Sequence, residues 1–162
     1  MIMQRVTAYD VGVSRLGEQL IEVHQTLRER LAALRQEIAD GAARPGLPGD
    51  LPGHCLSFCG AVHAHHTSED GQAFPALRAA APELAPVIDK LIEDHQLVAA
   101  ILRQVRELLE RDRPPSPPAA LLRELDGLTA ILESHFSFEE RRIAQALNTL
   151  DPGSVDLSLL QK

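Results

Sequence analysis

Two His-x-x-x-Glu pairs, His65…Glu69 in HAHHTSED and His135…Glu139 in ESHFSFEER, carry the chemistry of this chain. On a helix, residues four apart lie on one face with Cβ atoms about 6 Å apart, so imidazole and carboxylate aim at one point, as metal ligands do. Two further histidines, His24 and His95, are centred in two other apolar helical stretches. The pattern of His, His-x-x-x-Glu, His, His-x-x-x-Glu predicts an all-α, antiparallel up-down-up-down four-helix bundle around a two-metal site. A lone histidine on an apolar face is usually a satisfied core residue, but these residues act jointly. Four imidazoles and two glutamates buried without partners would cost several kcal/mol each, and cations that use them as donors offset that cost. Imidazole with carboxylate suits iron, manganese or zinc, and two glutamates suit a bridged pair of ions. A ferritin-like site would need Glu-x-x-His, and no histidine here has Glu three residues before it.

Four helices must position these groups. Leu16, Leu20, Val23, Leu27, Leu31, Leu34 and Ile38 recur at steps of three and four, marking a helix from about Tyr9 to Asp40. The Gly- and Pro-rich segment 41–49 is a loop. Asp50 can cap helix 2, whose end near Asp70 is marked by Gly71. FPALRAAAP reads as a short helical turn. Helix 3 runs from about Ala85 to Arg111 with Pro86 in its first turn, and RDRPPSPP breaks it. Helix 4 can be capped by Ser116 with Pro117 following, and carries Leu121, Leu125, Leu128, Leu132, His135, Glu139 and Ile143 inward. Residues 1–147 thus form the bundle, and 148–162 a tail without strong period.

Counting helical rise places His24 roughly 24 Å before the end of helix 1 and His65 roughly 21 Å after the start of helix 2. His95 lies roughly 24 Å before the loop after helix 3, and His135 roughly 27 Å after it. Antiparallel neighbours bring each pair to one layer.

Composition narrows the function. At 162 residues the chain is one domain, and two cysteines are too few for a disulfide framework. The N-terminus lacks an apolar signal region and no apolar run is long enough to span a bilayer, which predicts a soluble cytoplasmic protein with no membrane partner. A net charge of −7, from 16 basic and 23 acidic residues, argues against nucleic acid, as does the absence of tryptophan.

Over roughly residues 15 to 147 the chain resembles the hemerythrin-like, or HHE cation-binding, family: EVHQTLRERL around His24, HHTSEDGQAFPAL on helix 2, EDH at His95 and SHFSFEERRI on helix 4 carry the likeness. The resemblance implies a carboxylate-bridged non-haem di-iron centre, two iron ions with a bridging oxo or hydroxo group, that binds or reduces dioxygen, peroxide or nitric oxide. It implies His24, His65, Glu69, His95, His135 and Glu139 as ligands, two histidines and one open position to each iron. There are two departures. Oxygen-carrying hemerythrins have a further histidine four residues after the one matched by His95, where this chain has Ala99, which points away from strict oxygen carriage. They also place the last carboxylate five residues after its histidine, which would select Glu140; Glu139 shares the His135 face more closely. A binding module that senses oxygen or iron without turnover is the alternative, and a bundle with structural zinc or no metal the plainest one.

The neighbouring residues read more weakly. His66 is turned about 100° from His65 and is expected to border the core or support a ligand. His63 is turned about 200° and faces solvent; His54, about 16 Å along the helix from His65, cannot reach the site. Cys55 and Cys59 read as small hydrophobes at an interface. Asp70, Glu93 and Asp94 could orient ligand histidines.

Overall fold

The structure, a computed structural model, describes residues 15–41, 51–110 and 118–157. They are helical throughout, with no strand among them: α1 (Leu16–Gly41), α2 (Leu51–Ser68), a π-helical turn (Glu69–Ala73), α3 (Phe74–Ala80), a 3-10 turn (Pro82–Leu84), α4 (Ala85–Glu110) and α5 (Pro118–Leu147). The expected start near Tyr9, the loop 42–49, the caps at Asp50 and Ser116 with Pro117, and the helix end at Arg111 lie outside the described residues. No described helix is long and apolar enough to cross a membrane.

The stripes read from periodicity are the buried faces. Leu16 through Ile38 on α1 and Leu121 through Ile143 on α5 are all buried, and α1 packs on α5 and α2 while α4 packs on α5 and α2. The apolar core divides in two. One cluster holds Leu27, Leu31, Phe58, Val62, Val98, Leu128 and Leu132 among others; the second holds Leu16, Leu20, Phe74, Leu77, Ile88, Leu91 and Ile143. On each long helix the chain passes from one cluster to the other at the residues with metal-ligand chemistry: between Leu20 and Leu27, Val62 and Ala73, Leu91 and Val98, Leu132 and Ile143. A polar layer lies between two apolar ones.

Helix 2 does not stop at Gly71. The chain widens into a π turn in which the Phe74 N–H donates to the Glu69 carbonyl, five residues back, and then continues to Ala80. Pro75 is the local reason: it has no N–H, and in a regular helix its ring would press on the carbonyl of Gly71, so one extra residue in the turn relieves the clash. Cys55 and Cys59 are free and buried in the first cluster, where burial pushes the Cys55 thiol up to about 12 and raises that of Cys59.

At one end the backbones meet closely. The Gly17 N–H donates to Asn148 Oδ1 at 2.9 Å, and a Cβ on Gly17 would lie 2.1 Å from the Ala144 carbonyl oxygen. After α5 the chain turns back, burying Val155 and Leu157 in the second cluster. Ser68 Oγ donates to the Asp156 carbonyl at 2.7 Å and the Asp156 N–H to Gln72 Oε1 at 3.1 Å, so this strap grips the π turn on both sides of Glu69. Two anchors are too few to register as a period, which is why the sequence pattern misses them.

Candidate metal centre

Each long helix brings polar groups to the layer between the apolar clusters. His24 comes from α1, His65 and His66 from α2, Glu69 from the π turn, His95 from α4, and His135 and Glu139 from α5. All seven are buried, none more than 4 % exposed.

They form two groups. Ligand-type atoms of His24, His65, Glu69 and Glu139 lie within 4.8 Å of one another, as do those of His66, His95 and His135. The carboxylates sit between the groups. Glu69 Oε1 is 3.0 Å from His65 Nε2 and 3.7 Å from His95 Nε2, while Glu139 Oε2 is 3.3 Å from His24 Nε2 and 3.4 Å from His135 Nε2. Each carboxylate therefore faces one imidazole of either group. The six residues singled out from sequence converge, and His66, which sequence reasoning set aside, joins them.

Outer carboxylates fix the imidazoles. His24 Nδ1 pairs with Glu140 Oε1 at 2.9 Å, His95 Nδ1 with Asp70 Oδ1 at 2.8 Å and His135 Nδ1 with Asp94 Oδ2 at 3.3 Å. An Nδ1–H that donates to a carboxylate leaves the Nε2 lone pair aimed inward, the tautomer a metal needs. Arg28 donates to Glu140 and Glu133 at 2.8 Å each, and Lys90 pairs with Asp94. Glu140 is thus a partner of His24 and lies outside both groups. Glu93 is exposed and His63 is exposed, while His54 is paired with Glu37 at 3.4 Å. Rings close the layer: Phe136 stacks on His24 with centroids 4.0 Å apart, and Phe74 on His95 at 5.5 Å.

The electrostatics of the metal-free chain are strained. His66 Nε2, His95 Nε2, His135 Nε2 and both oxygens of Glu69 and of Glu139 are buried without a hydrogen-bond partner in the protein. Contacts of 3.0–3.7 Å between such atoms bring acceptor against acceptor. Protons take up part of the imbalance. Burial, then the neighbouring Glu139, pushes the Glu69 carboxyl well above the usual range. Burial also acts on Glu139, but hydrogen bonds from Glu69 and His24 outweigh it and hold Glu139 well below that range. Burial opposes charge on His24, yet Glu139 and Glu140 win and raise it above 6.5. Burial, reinforced by His24, lowers His65 to about 3, and burial, reinforced by His95, lowers His66 and His135. A shell of lone pairs around two points, with too few protons to satisfy it, fits a pair of cations and fits an apolar core poorly.

A family model described as hemerythrin HHE cation binding domain matches residues 16–147. No curated protein and no solved structure matches.

Proposed function

The chain belongs to the hemerythrin HHE cation-binding family, and we propose that it is a non-haem di-iron protein that binds or reduces a small oxidant: dioxygen, peroxide or nitric oxide. The observation that carries this reading is the buried set of partnerless imidazole nitrogens and carboxylate oxygens between the two apolar clusters. His24 and His65 would hold one ion and His95 and His135 the other, with Glu69 and Glu139 spanning the pair, because each carboxylate faces one imidazole of either group. An antiparallel up-down-up-down order is supported by contacts between α1 and α5 whose numbers run oppositely, Gly17 with Asn148, Arg28 with Glu133 and Arg35 with Asp126.

Iron, when bound here with an oxo or hydroxo bridge, supplies Lewis-acid and one-electron chemistry toward an oxidant. The protein's own part is positional. Glu140, Asp70 and Asp94 hold the proton on Nδ1 of His24, His95 and His135 and so keep each Nε2 a donor atom. Phe136 and Phe74 shut water out of the layer. Arg28 keeps Glu140 ionised against its partial burial, so that the carboxylate continues to accept from His24.

The test is reconstitution of the metal-free chain with ferrous iron, followed by elemental analysis, visible spectrum and oxygen release from peroxide. Two irons per chain with visible absorption is the expected result, and zinc alone or well under one iron per chain would overturn it. Peroxide turnover above that of the metal-free form marks an enzyme; reversible binding without turnover marks a sensing module.

A further inference from the structure

His66 is the one member of the buried layer to which the six-residue ligand set gives no task. Its ring lies parallel to that of His95, 9° between planes with centroids 3.8 Å apart, and edge-on to His135 at 5.1 Å. Its Nε2 is buried and finds no partner in the protein, as are the Nε2 atoms of His95 and His135 beside it. A core histidine kept only for packing would have that nitrogen satisfied by a donor or a carbonyl. Here three orphaned imidazole nitrogens from three helices converge within 4.8 Å.

The placement follows from the bundle. α2 packs on both α1 and α4. In a four-helix bundle a helix meets its two neighbours on faces about 90° apart, close to the 100° step between consecutive residues. His65 therefore meets His24 of α1, at 5.1 Å between centroids, while His66 meets His95 of α4. One turn along α4 the side chain is only the methyl of Ala99, and it leaves a cavity of about 150 Å³ beside His66 and His95 instead of competing for their space.

We propose that His66 is a metal ligand, the third imidazole on the ion held by His95 and His135. The inference rests on the two-metal reading above. It makes the two ions unequal, three imidazoles against two. With both glutamates and the oxygen bridge shared, the His66 ion is filled and the open position for an exogenous ligand belongs to the His24–His65 ion alone.

Zinc is a suitable probe because it is diamagnetic. In protein labelled with ¹⁵N-histidine and loaded with zinc, an imidazole nitrogen bound to metal has a shift distinct from free or protonated nitrogen. Of the seven histidines, five should show metal-bound nitrogen, with His54 and His63 free and titrating. His66→Ala should leave four, and His63→Ala should leave five. Four metal-bound imidazoles in the unaltered protein, with His66 free, would overturn the role of His66 and leave the two-metal reading intact; none at all would overturn both. If His66→Ala does not fold, the count in the unaltered chain still decides.

Discussion

The choice between two adjacent carboxylates on α5 shows what one residue step means at this layer. Glu139 is fully buried between the histidine groups, whereas Glu140 keeps 22 % of its side chain exposed and is shared by His24 and Arg28. Glu139→Ala or Glu69→Ala should therefore abolish stoichiometric metal binding and lower the melting temperature of the loaded protein, since each leaves cations and imidazoles uncompensated. Glu140→Gln should weaken metal affinity by about 10–100-fold without abolishing it. His63→Ala should change neither. Metal titration with parallel melting curves checks all four, and a loss for Glu140→Gln equal to that for Glu139→Ala would move the bridging role to Glu140. Helical spacing was enough to favour Glu139. It was not enough to place His66, because a rotation of 100° says which way a side chain turns from its neighbour and nothing of whether a second helix waits there.

At the scale of elements, the apolar periodicity located the four long helices, since every stripe it picked out on α1, α4 and α5 is buried except Leu109, which is only partly so. What it could not locate is structure that depends on backbone chemistry or on few contacts. Gly71 looks like a helix stop, but no left-handed turn occurs there and the Phe74 N–H reaches past it to Glu69. Gly17 has the opposite history, unremarkable in sequence and tightly constrained in the fold. Its missing side chain lets α1 approach the end of α5, where a Cβ would collide with backbone atoms of Ala144 that cannot move aside. Gly17→Ala should cost about 1–3 kcal/mol despite its favourable helix propensity. Chemical denaturation reads this directly, and a stabilised variant would mean the two helices can part without loss.

For the whole molecule, the buried layer makes stability depend on pH. Between about pH 5 and 6.5 the unfolded chain takes up protons on its histidines, while burial keeps His65, His66 and His135 neutral in the folded chain, so acidification favours unfolding. Glu69 acts in the other direction, keeping when folded a proton that the unfolded chain releases above 4.5. His24, raised above 6.5, is protonated in both states through this window and adds no slope. Three groups against one leave a net loss, and the metal-free protein should melt roughly 5 °C lower at pH 5.5 than at pH 7. A melting temperature that rises on acidification would show the carboxylate pair in control.

The π turn has one more consequence, best put as a matter of phase. A π turn is a regular helix with one residue too many, so everything beyond it is read one step out of phase with everything before it. His65 and Glu69 belong to the earlier phase, Phe74 and Leu77 to the later one, and both sets face inward only because the extra residue stands between them. Deleting Gly71 would remove the surplus and let α2 run on unbroken. Phe74, the ring stacked on His95, and Leu77 would then swing about 100° toward solvent while His65 and Glu69 stayed in place. One missing residue without a side chain would take the apolar lid off the layer and leave its ligands untouched.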